Sequence, residues 1–379
     1  MQKTYWRLSQ FYFFYFASLG ALVPFWSVYL DHLQFTSLQI GQLMATLAVS
    51  KIVAPYLWGW VADVSGYHIR IVRITSILSL LCFLPLLWFD SFWAVLGFML
   101  LFSFFWNASL PQFEVVTLGH LGRDKHRYSQ IRLWGSLGFI ATVTLLGALF
   151  HVWSINSLPM ILLSVFALIW FSSLSVQEYR HKALSHTPIG RVLRRPEVLS
   201  LLFACFFMQA SHGPYYTFYS LYMESLDYSR FSIGLLWSLG VFAEVVLFFF
   251  MHRLLAIRSA GFWLGISLLL TVLRWLLMAW FSDVLPLVLV TQCLHAASFG
   301  MFHAAAIHLV HDYFPAHRGR GQALYASVSF GAGGAVGSLY AGAVWETFSP
   351  QLAFSAAALI ALAGLLVVLS VKSHPASAG

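Results

Sequence analysis

Long apolar runs alternate with short polar segments along almost the whole chain. Most runs reach the length of about 20 residues that a helix needs to cross about 30 Å of hydrocarbon. We therefore predict about twelve membrane-spanning helices, since the runs are longer than ordinary buried helices. The predicted spans are centred near Ala17, Ser50, Leu80, Phe105, Phe139, Val165, Met208, Glu244, Leu270, Phe299, Gly333 and Leu362.

One polar segment is much longer than the others. Residues 177–197 read QEYRHKALSHTPIGRVLRRPE and divide the predicted spans into six and six. We expect an all-α membrane protein with one six-helix bundle over residues 1–176, a cytoplasmic linker over 177–197 and a second six-helix bundle over 198–379. Two such halves are the plan of transporters whose substrate site lies near the membrane midplane.

Lysine and arginine are distributed unevenly between the two sides of the predicted spans. With a cytoplasmic N-terminus, the outer loops contain only Arg230. Short cytoplasmic loops retain basic residues, so we expect both termini to be cytoplasmic and the protein to lie in the inner membrane of the cell. The inner segments then contain Lys3, Arg7, Arg70, Arg73, Arg123, Lys125, Arg127, Arg180, Lys182, Arg191, Arg194, Arg195, Arg253, Arg258, Arg318, Arg320 and Lys372.

The composition excludes several other classes of protein. Hydrophobic residues make up 60% of the chain and charged residues 9%, whereas charged residues form about a quarter of a soluble domain. The net charge of +8 arises from basic residues that punctuate apolar runs, so the expected partner is a lipid bilayer and not nucleic acid. A multi-span membrane enzyme is the alternative class. It is disfavoured because the loops are too short for a catalytic region, and no cofactor is expected.

Five charged residues lie within predicted spans, namely Lys51, Glu114, Arg132, Glu244 and Arg274. A charge in hydrocarbon costs at least ~2.5 kcal/mol on insertion scales, so these residues are candidates for function. Three cations and two anions leave one excess positive charge if all are ionised. A cation beside an aqueous cavity suits an organic carboxylate, for which arginine offers two parallel hydrogen bonds.

Proton coupling requires a group that changes its protonation as a cavity opens and closes. Glu244 beside Arg274 fits this role, although the same residues also fit a buried ion pair that only holds two helices together. His295 and His303 offer a second route, because they are eight residues apart on roughly one helix face. His308 and His311 lack a third ligand, so no metal site is expected.

The seventh predicted span contains an aromatic cluster next to a helix-breaking pair. Gly213 and Pro214 interrupt the backbone hydrogen bonds, and Tyr215, Tyr216, Phe218 and Tyr219 follow them. These aromatic residues fit a wall for a ring-bearing substrate, or equally an interfacial aromatic belt. The glycine-rich run from Phe330 to Gly337 is typical of close helix packing.

A known signature is visible between the second and third predicted spans. The loop Gly59-Trp-Val-Ala-Asp63-Val-Ser-Gly66 resembles the signature of the major facilitator superfamily. Its copy here is degraded, because Val64 stands where the superfamily has a basic residue. The resemblance implies a role for Gly59, Asp63 and Gly66 in conformational change.

The chain resembles the phenylpropionate permease group, related to lactose permease, over nearly its whole length. The similar stretches include Arg132-Leu-Trp-Gly-Ser, Leu236-Trp-Ser-Leu-Gly-Val-Phe-Ala-Glu244-Val, Arg274-Trp and Leu-His295. The resemblance implies that Glu114 and Arg132 contact substrate, while Glu244, Arg274 and His295 couple protons. Ser298 departs from lactose permease, which has a carboxylate at that position, so Glu244 is left as the proton carrier.

Together these features predict a proton symporter that imports a small organic substrate by alternating access. The resemblance implies an aromatic acid such as 3-phenylpropionate, and a sugar or a nucleoside is the alternative substrate. The proposed substrate-binding residues are Lys51, Glu114, Arg132, Tyr215 and Tyr219, and the proposed coupling residues are Glu244, Arg274, His295 and His303. We expect a monomer whose partners are the substrate and protons.

Overall fold

The computed structural model describes residues 2–122, 124, 127–178, 190, 192–315 and 317–370. Within these residues, ten continuous helices are long and apolar enough to cross a membrane, and two interrupted helices complete the predicted set of spans. The helices are α1 (Gln2–His32), α2 (Ser37–Ser65), α3 (His68–Leu87), α4 (Phe92–Leu121), α5 (Tyr128–Leu149), α6 (Ile155–Leu174), α7 (Pro196–Ser211 and Gly213–Ser225), α8 (Arg230–Ile257), α9 (Ala260–Trp280), α10 (Leu285–Tyr313), α11 (Arg318–Ala326, Ser327–Gly333 and Gly334–Thr347) and α12 (Pro350–Ser370).

The two halves of the chain repeat one packing pattern. In the first half, α1 packs on α5 and α6, while α3 packs on α4 and α6. In the second half, α7 packs on α11 and α12, while α9 packs on α10 and α12. The predicted all-α fold of two six-helix bundles is therefore confirmed. The predicted linker over 177–197 falls largely on residues 179–189 and 191, which lie outside the described residues.

The bundles meet through two equivalent helix pairs, α2 with α11 and α5 with α8. At the end where α1 terminates and α2 begins, small residues let the backbones approach closely. A Cβ added to Gly41 would lie 2.6 Å from the carbonyl oxygen of Ser338, and one added to Gly147 would lie 2.6 Å from that of Arg230. The Thr144 and Ser238 hydroxyls are 2.8 Å apart across the second pair. This end of the molecule is closed.

A carboxylate from the second bundle also caps a helix of the first bundle at the closed end. Thr36 and Gln39 form a capping box at the start of α2. The backbone N–H of Leu38 donates to Glu346 Oε2 at 2.6 Å, and the positive end of the helix dipole favours that negative charge. A similar contact within the first bundle joins Glu178 to the start of α3.

Three helices depart from regular α geometry near the middle of their length. Helix α7 breaks at His212, as the Gly213-Pro214 pair predicts. Helices α10 and α11 each contain a π-helical turn, at Ala296–Met301 and Ser327–Gly333. Such turns occur frequently at functional sites.

The signature from Gly59 to Gly66 is not a loop, which corrects the sequence-based expectation. Gly59 and Asp63 lie inside α2, which continues to Ser65 because nothing in Trp-Val-Ala-Asp-Val opposes a helix. Gly66 ends the helix in a left-handed conformation with φ 72°, which glycine adopts without steric cost. Asp63 Oδ1 lies 3.9 Å from His68 Nε2 at the start of α3.

Candidate functional site

A cavity of about 300 Å³ lies between the bundles. Residues three, four or seven positions apart on each helix line it, so each helix presents one face. Arg132, Ser136 and Phe139 on α5 are an example, as are Trp237, Val241 and Glu244 on α8. The full lining is Phe16, Leu19, Leu22, Val23, Met44, Leu47, Ala48, Lys51, Trp106, Arg132, Ser136, Phe139, Gln209, Gly213, Tyr216, Thr217, Trp237, Val241, Glu244, His295, Phe299, Phe330, Gly334 and Ser338.

The wall combines aromatic surface with few charges. Three of the five predicted intramembrane charges line the cavity, namely Lys51, Arg132 and Glu244. Two cations and one carboxylate leave one excess positive charge when His295 is neutral. Largely apolar cavities with few convergent polar groups are typical of small-molecule sites.

Arg132 lies on the first bundle and presents its guanidinium to the cavity. Its Cζ atom lies 3.8 Å from the centre of the Phe16 ring, a cation–π distance. Gly135 makes room for this contact, since a Cβ there would lie 2.7 Å from both Arg132 Nη1 and Phe16 Cδ2. The Arg-Leu-Trp-Gly sequence therefore sets the position of this cation.

The other two charges of the first bundle differ in their placement. Lys51 lines the cavity from α2 and makes no ion pair among the described residues. Glu114 lies outside the cavity lining, between α4 and α5, and its Oε1 accepts a hydrogen bond from Tyr128 at 3.2 Å. Glu114 interacts electrostatically with Arg132.

Arg274 is fully buried behind the cavity in the second bundle. Its Nε donates to the Thr291 carbonyl at 2.8 Å, and its Nη1 donates to Ser298 Oγ at 2.8 Å. Nη1 also lies 3.2 Å from His295 Nδ1. Arginine has only donors, so His295 Nδ1 is the acceptor and Nε2 carries the ring proton in the neutral imidazole.

That Nε2 faces the carboxylate of Glu244. The two groups are 3.8 Å apart, and their side chains are 7% and 15% exposed, respectively. The distance fits an ion pair if the imidazole is protonated, but it exceeds a hydrogen bond. Gly300, in the π turn, lets Glu244 approach, since a Cβ there would lie 3.1 Å from Glu244 Cγ.

The suggested ion pair between Glu244 and Arg274 is absent from the described residues. Arg274 instead bonds to groups on α10, and His295 lies between the guanidinium and the carboxylate. These bonds join α9 to α10, and Glu244 takes no part in them. Glu244 interacts electrostatically with Arg132 of the other bundle.

His303 lies one layer away from the cavity wall. Its Nδ1 is 3.0 Å from the Tyr325 hydroxyl on α11. Phe299 stacks between His295 and His303, with ring centres 5.4 and 6.2 Å away and interplanar angles of 8° and 9°. The π turn adds a residue to the helical turn, which aligns these positions better than a regular α-helix would.

Of the aromatic residues predicted to form a wall on α7, the two proposed to bind substrate do not line the cavity. Tyr215 and Tyr219 are buried behind the lining, and the Tyr215 hydroxyl donates to Gln292 Oε1 at 2.8 Å. Tyr216 lines the cavity instead. The break at His212 sets the direction of the following turn, so it decides which tyrosine reaches the cavity.

Sequence reasoning missed most neutral polar positions of the wall. They are Ser136, Gln209, Thr217 and Ser338. Helical spacing alone could have indicated two of them, because Ser136 follows Arg132 by four residues and Gln209 precedes Tyr216 by seven. Nothing in their residue types singled them out.

Comparison with known proteins identifies the group to which this architecture belongs. The family model described as MFS_1 like family matches residues 5–356. The "Probable 3-phenylpropionic acid transporter" of Escherichia coli (strain K12) is 30% identical over 384 residues, covering 97% of each chain. The "Maltose permease" of Geobacillus stearothermophilus is 24% identical over 390 residues, covering 97% of this chain and 95% of the relative.

Solved structures share the same fold. A crystal structure of the nucleoside transporter NupG has a TM-score of 0.88 and 16% identity, covering 97% of this chain and 99% of that one. A bacterial homologue of the human lysosomal transporter Spinster, inward-facing and unoccupied, has a TM-score of 0.69 and 12% identity, covering 97% and 94%. At these identities the similarity is one of fold.

Proposed function

We propose that this chain, which belongs to the MFS_1 like family of major facilitator superfamily transporters, is a proton-coupled symporter that imports an aromatic carboxylate such as 3-phenylpropionate. The family consists of transporters and not enzymes. One observation carries the proposal: the cavity between the bundles has an aromatic wall and one more cation than carboxylate.

The wall chemistry supports an aromatic acid as the substrate. Phe16, Phe139, Tyr216 and Trp237 offer flat apolar surface for a ring. Lys51 and Arg132 attract an anion, and a carboxylate would neutralise the excess charge. The relative named as a probable 3-phenylpropionic acid transporter supports the same class of substrate.

The geometry of α8, α9 and α10 supports Glu244 as the proton carrier. Arg274 donates to His295 Nδ1, so that nitrogen cannot hold a proton while the contact persists. The remaining nitrogen presents its N–H toward Glu244, at 3.8 Å. Arg274 thus orients His295, and His295 Nε2 is placed to stabilise the Glu244 carboxylate after the proton leaves. His303 lies farther along the same ring stack and extends it toward α11.

The two equivalent interfaces support transport by alternating access. With cytoplasmic termini, as the basic loops favour, the closed end made by α2–α11 and α5–α8 faces outward. This conformation is then inward-facing, and outward opening requires both pairs to separate. We place the protein in the inner membrane, and the cavity lies between the two bundles of a single chain, which supports a monomer. The Gly59–Gly66 segment lies at the opposite end, where α2 turns into α3.

Proton-coupled uptake can be measured directly in right-side-out vesicles without an imposed gradient. Addition of 3-phenylpropionate should make the external medium more alkaline, because the substrate draws protons inward. Glu244→Gln should abolish this pH change but retain exchange of labelled substrate across the membrane. Full alkalinisation by Glu244→Gln would refute the assignment of the carrier.

The substrate class is tested by counterflow. Vesicles loaded with unlabelled 3-phenylpropionate should accumulate the labelled acid, and vesicles loaded with maltose or a nucleoside should not drive that accumulation. If only the neutral solutes exchange, the transporter carries a sugar or a nucleoside, and the proposal of an aromatic acid is wrong.

A further inference from the structure

Gln209, a residue of the cavity wall, carries a donor without a partner. The residue is 3% exposed, and it belongs to the lining. Its side-chain Nε2 is buried and has no hydrogen-bond partner. A buried amide left without a partner costs about 1–3 kcal/mol, so such a group in a binding cavity points to a ligand that completes it.

Lys51 reaches the same wall from the other bundle. Both residues flank the glycine-rich turn of α11. A Cβ on Gly331 would lie 2.7 Å from Ile52, which follows Lys51, and a Cβ on Gly333 would lie 3.2 Å from Gln209 Cβ. The glycines let α2 and α7 close on α11 from two sides. They therefore bring an ammonium group and an amide donor to adjoining parts of the wall.

The two cations of the cavity differ in their surroundings. Arg132 interacts electrostatically with both Glu114 and Glu244 and stacks on Phe16. No described carboxylate lies within ion-pair distance of either cation, and Lys51, unlike Arg132, has no electrostatic interaction with a described carboxylate. Lys51 is therefore the cation whose charge is less well matched, and Gln209 is the α7 residue of the lining whose amide lacks a partner.

Resting on the proposed function, we infer that Lys51 Nζ and Gln209 Nε2 together form the carboxylate subsite, with the substrate ring directed toward the aromatic wall of α5 and α8. Lys51 supplies the charge, and Gln209 supplies a directional donor from the opposite bundle. Because the two donors belong to different bundles, a bound carboxylate would bridge them. This subsite makes Gln209 a specificity-determining residue.

The test compares the binding of 3-phenylpropionate and its neutral amide, 3-phenylpropionamide, to purified full-length protein. The wild type should prefer the acid. Gln209→Leu should weaken acid binding roughly 10-fold, as for a lost hydrogen bond to a charged group. Gln209→Glu should weaken it further and improve binding of the amide, whose N–H groups the new carboxylate would accept. Lys51→Met should also abolish the preference for the acid.

Gln292→Leu is the matched control, because Gln292 is an equally buried glutamine behind the lining. It should leave the ratio of acid to amide affinity unchanged. Size-exclusion profiles of every variant separate misfolding from lost binding, and the gain of amide binding by Gln209→Glu requires a folded protein. Unchanged acid preference in Gln209→Leu and Gln209→Glu would overturn the subsite alone. A wild type that binds neither probe would overturn the proposed function and the subsite with it.

Discussion

Each bundle contains one arginine that was predicted within a membrane span, Arg132 in the first bundle and Arg274 in the second. The surroundings of these two arginines differ. Arg132 borders the cavity and contacts aromatic rings. Arg274 is 0% exposed and donates to a carbonyl, a hydroxyl and an imidazole. The Arg132 side chain therefore borders the cavity, whereas the Arg274 guanidinium is bonded to protein groups.

This contrast suggests that the two bundles have different roles although their helices pack in the same arrangement. The helix neighbours repeat between the halves, but the polar side chains do not. A cation that faces an open cavity can change partners when substrate arrives, and a cation in a completed network resists such a change. Paired substitutions of the same residue type test this distinction.

The largest difference is expected between Arg274→Met and Arg132→Met. Loss of Arg274 leaves three buried partners without a donor, where each bond to a charged group is worth ~1.5–3 kcal/mol. We expect at least a roughly 100-fold loss of active uptake together with a lower melting temperature. Arg132→Met should weaken substrate binding while the melting temperature stays close to that of the wild type. Equal destabilisation by the two variants would contradict the contrast.

The second pair of substitutions compares two serines, Ser298 and Ser136. Ser298 Oγ accepts from Arg274 at 2.8 Å, whereas Ser136 borders the cavity. Ser298→Ala should cost about 1–3 kcal/mol of stability and reduce proton-coupled uptake about 10-fold, because a buried donor loses its acceptor. Ser136→Ala should leave stability within about 0.5 kcal/mol of the wild type. Thermal unfolding and uptake assays on both variants would reveal any reversal of this order.

Neighbouring tyrosines provide a third pair. Tyr216→Leu should weaken aromatic acid binding several-fold, since it removes a ring contact worth about 0.5–1.5 kcal/mol beyond its burial. Tyr215→Phe should instead lower stability by about 1 kcal/mol, because Gln292 loses its bond, and leave the affinity nearly constant. Equilibrium binding and thermal unfolding distinguish the two roles. A large loss of affinity in Tyr215→Phe would restore Tyr215 to the cavity wall.

The smallest expected effect concerns two carboxylates that cap helices. Glu346 of the second bundle caps α2 of the first. Glu178 accepts from the Ile69 and Arg70 N–H groups at 3.0 and 3.2 Å within one bundle. Each charge is worth about 0.3–1 kcal/mol at a helix start.

Glu346→Gln should therefore shift the balance toward the outward-open conformation by about 2- to 5-fold. Spin-label distances between the outer ends of α2 and α11 measure that shift. Glu178→Gln is the control and should leave those distances unchanged, since its contact does not cross the interface. A shift of similar size in both variants would show that the contact between bundles has no special role.

The sequence predicts the frame of this molecule better than its site. The length and spacing of apolar runs predict every span, because hydrocarbon thickness fixes the helix length. Ionisable residues such as Lys51, Arg132 and Glu244 stand out against that apolar background, and all three line the cavity.

Other features depend on contacts that no local pattern contains. The choice of Tyr216 over Tyr215 follows from the break at His212, which sets the rotation of the next turn. Gln209 resembles any polar residue in a helix until the cavity shows that its amide lacks a partner. The signature also did not show that α2 continues through Gly59 and Asp63 to Ser65, because a signature specifies residue types and not backbone geometry.

The π-helical turns of α10 and α11 lie side by side, with the Phe299 and Phe330 rings 6.1 Å apart. A turn of this kind holds one surplus residue, and removing that surplus would rotate the remainder of the helix by roughly 100°. Conversion of either π turn into a regular α turn would therefore move Phe299 or Phe330 away from the cavity wall without unfolding the helix. The second bundle thus contains two sites beside the cavity where a helix could rotate locally, and the described helices of the first bundle contain no π-helical turn.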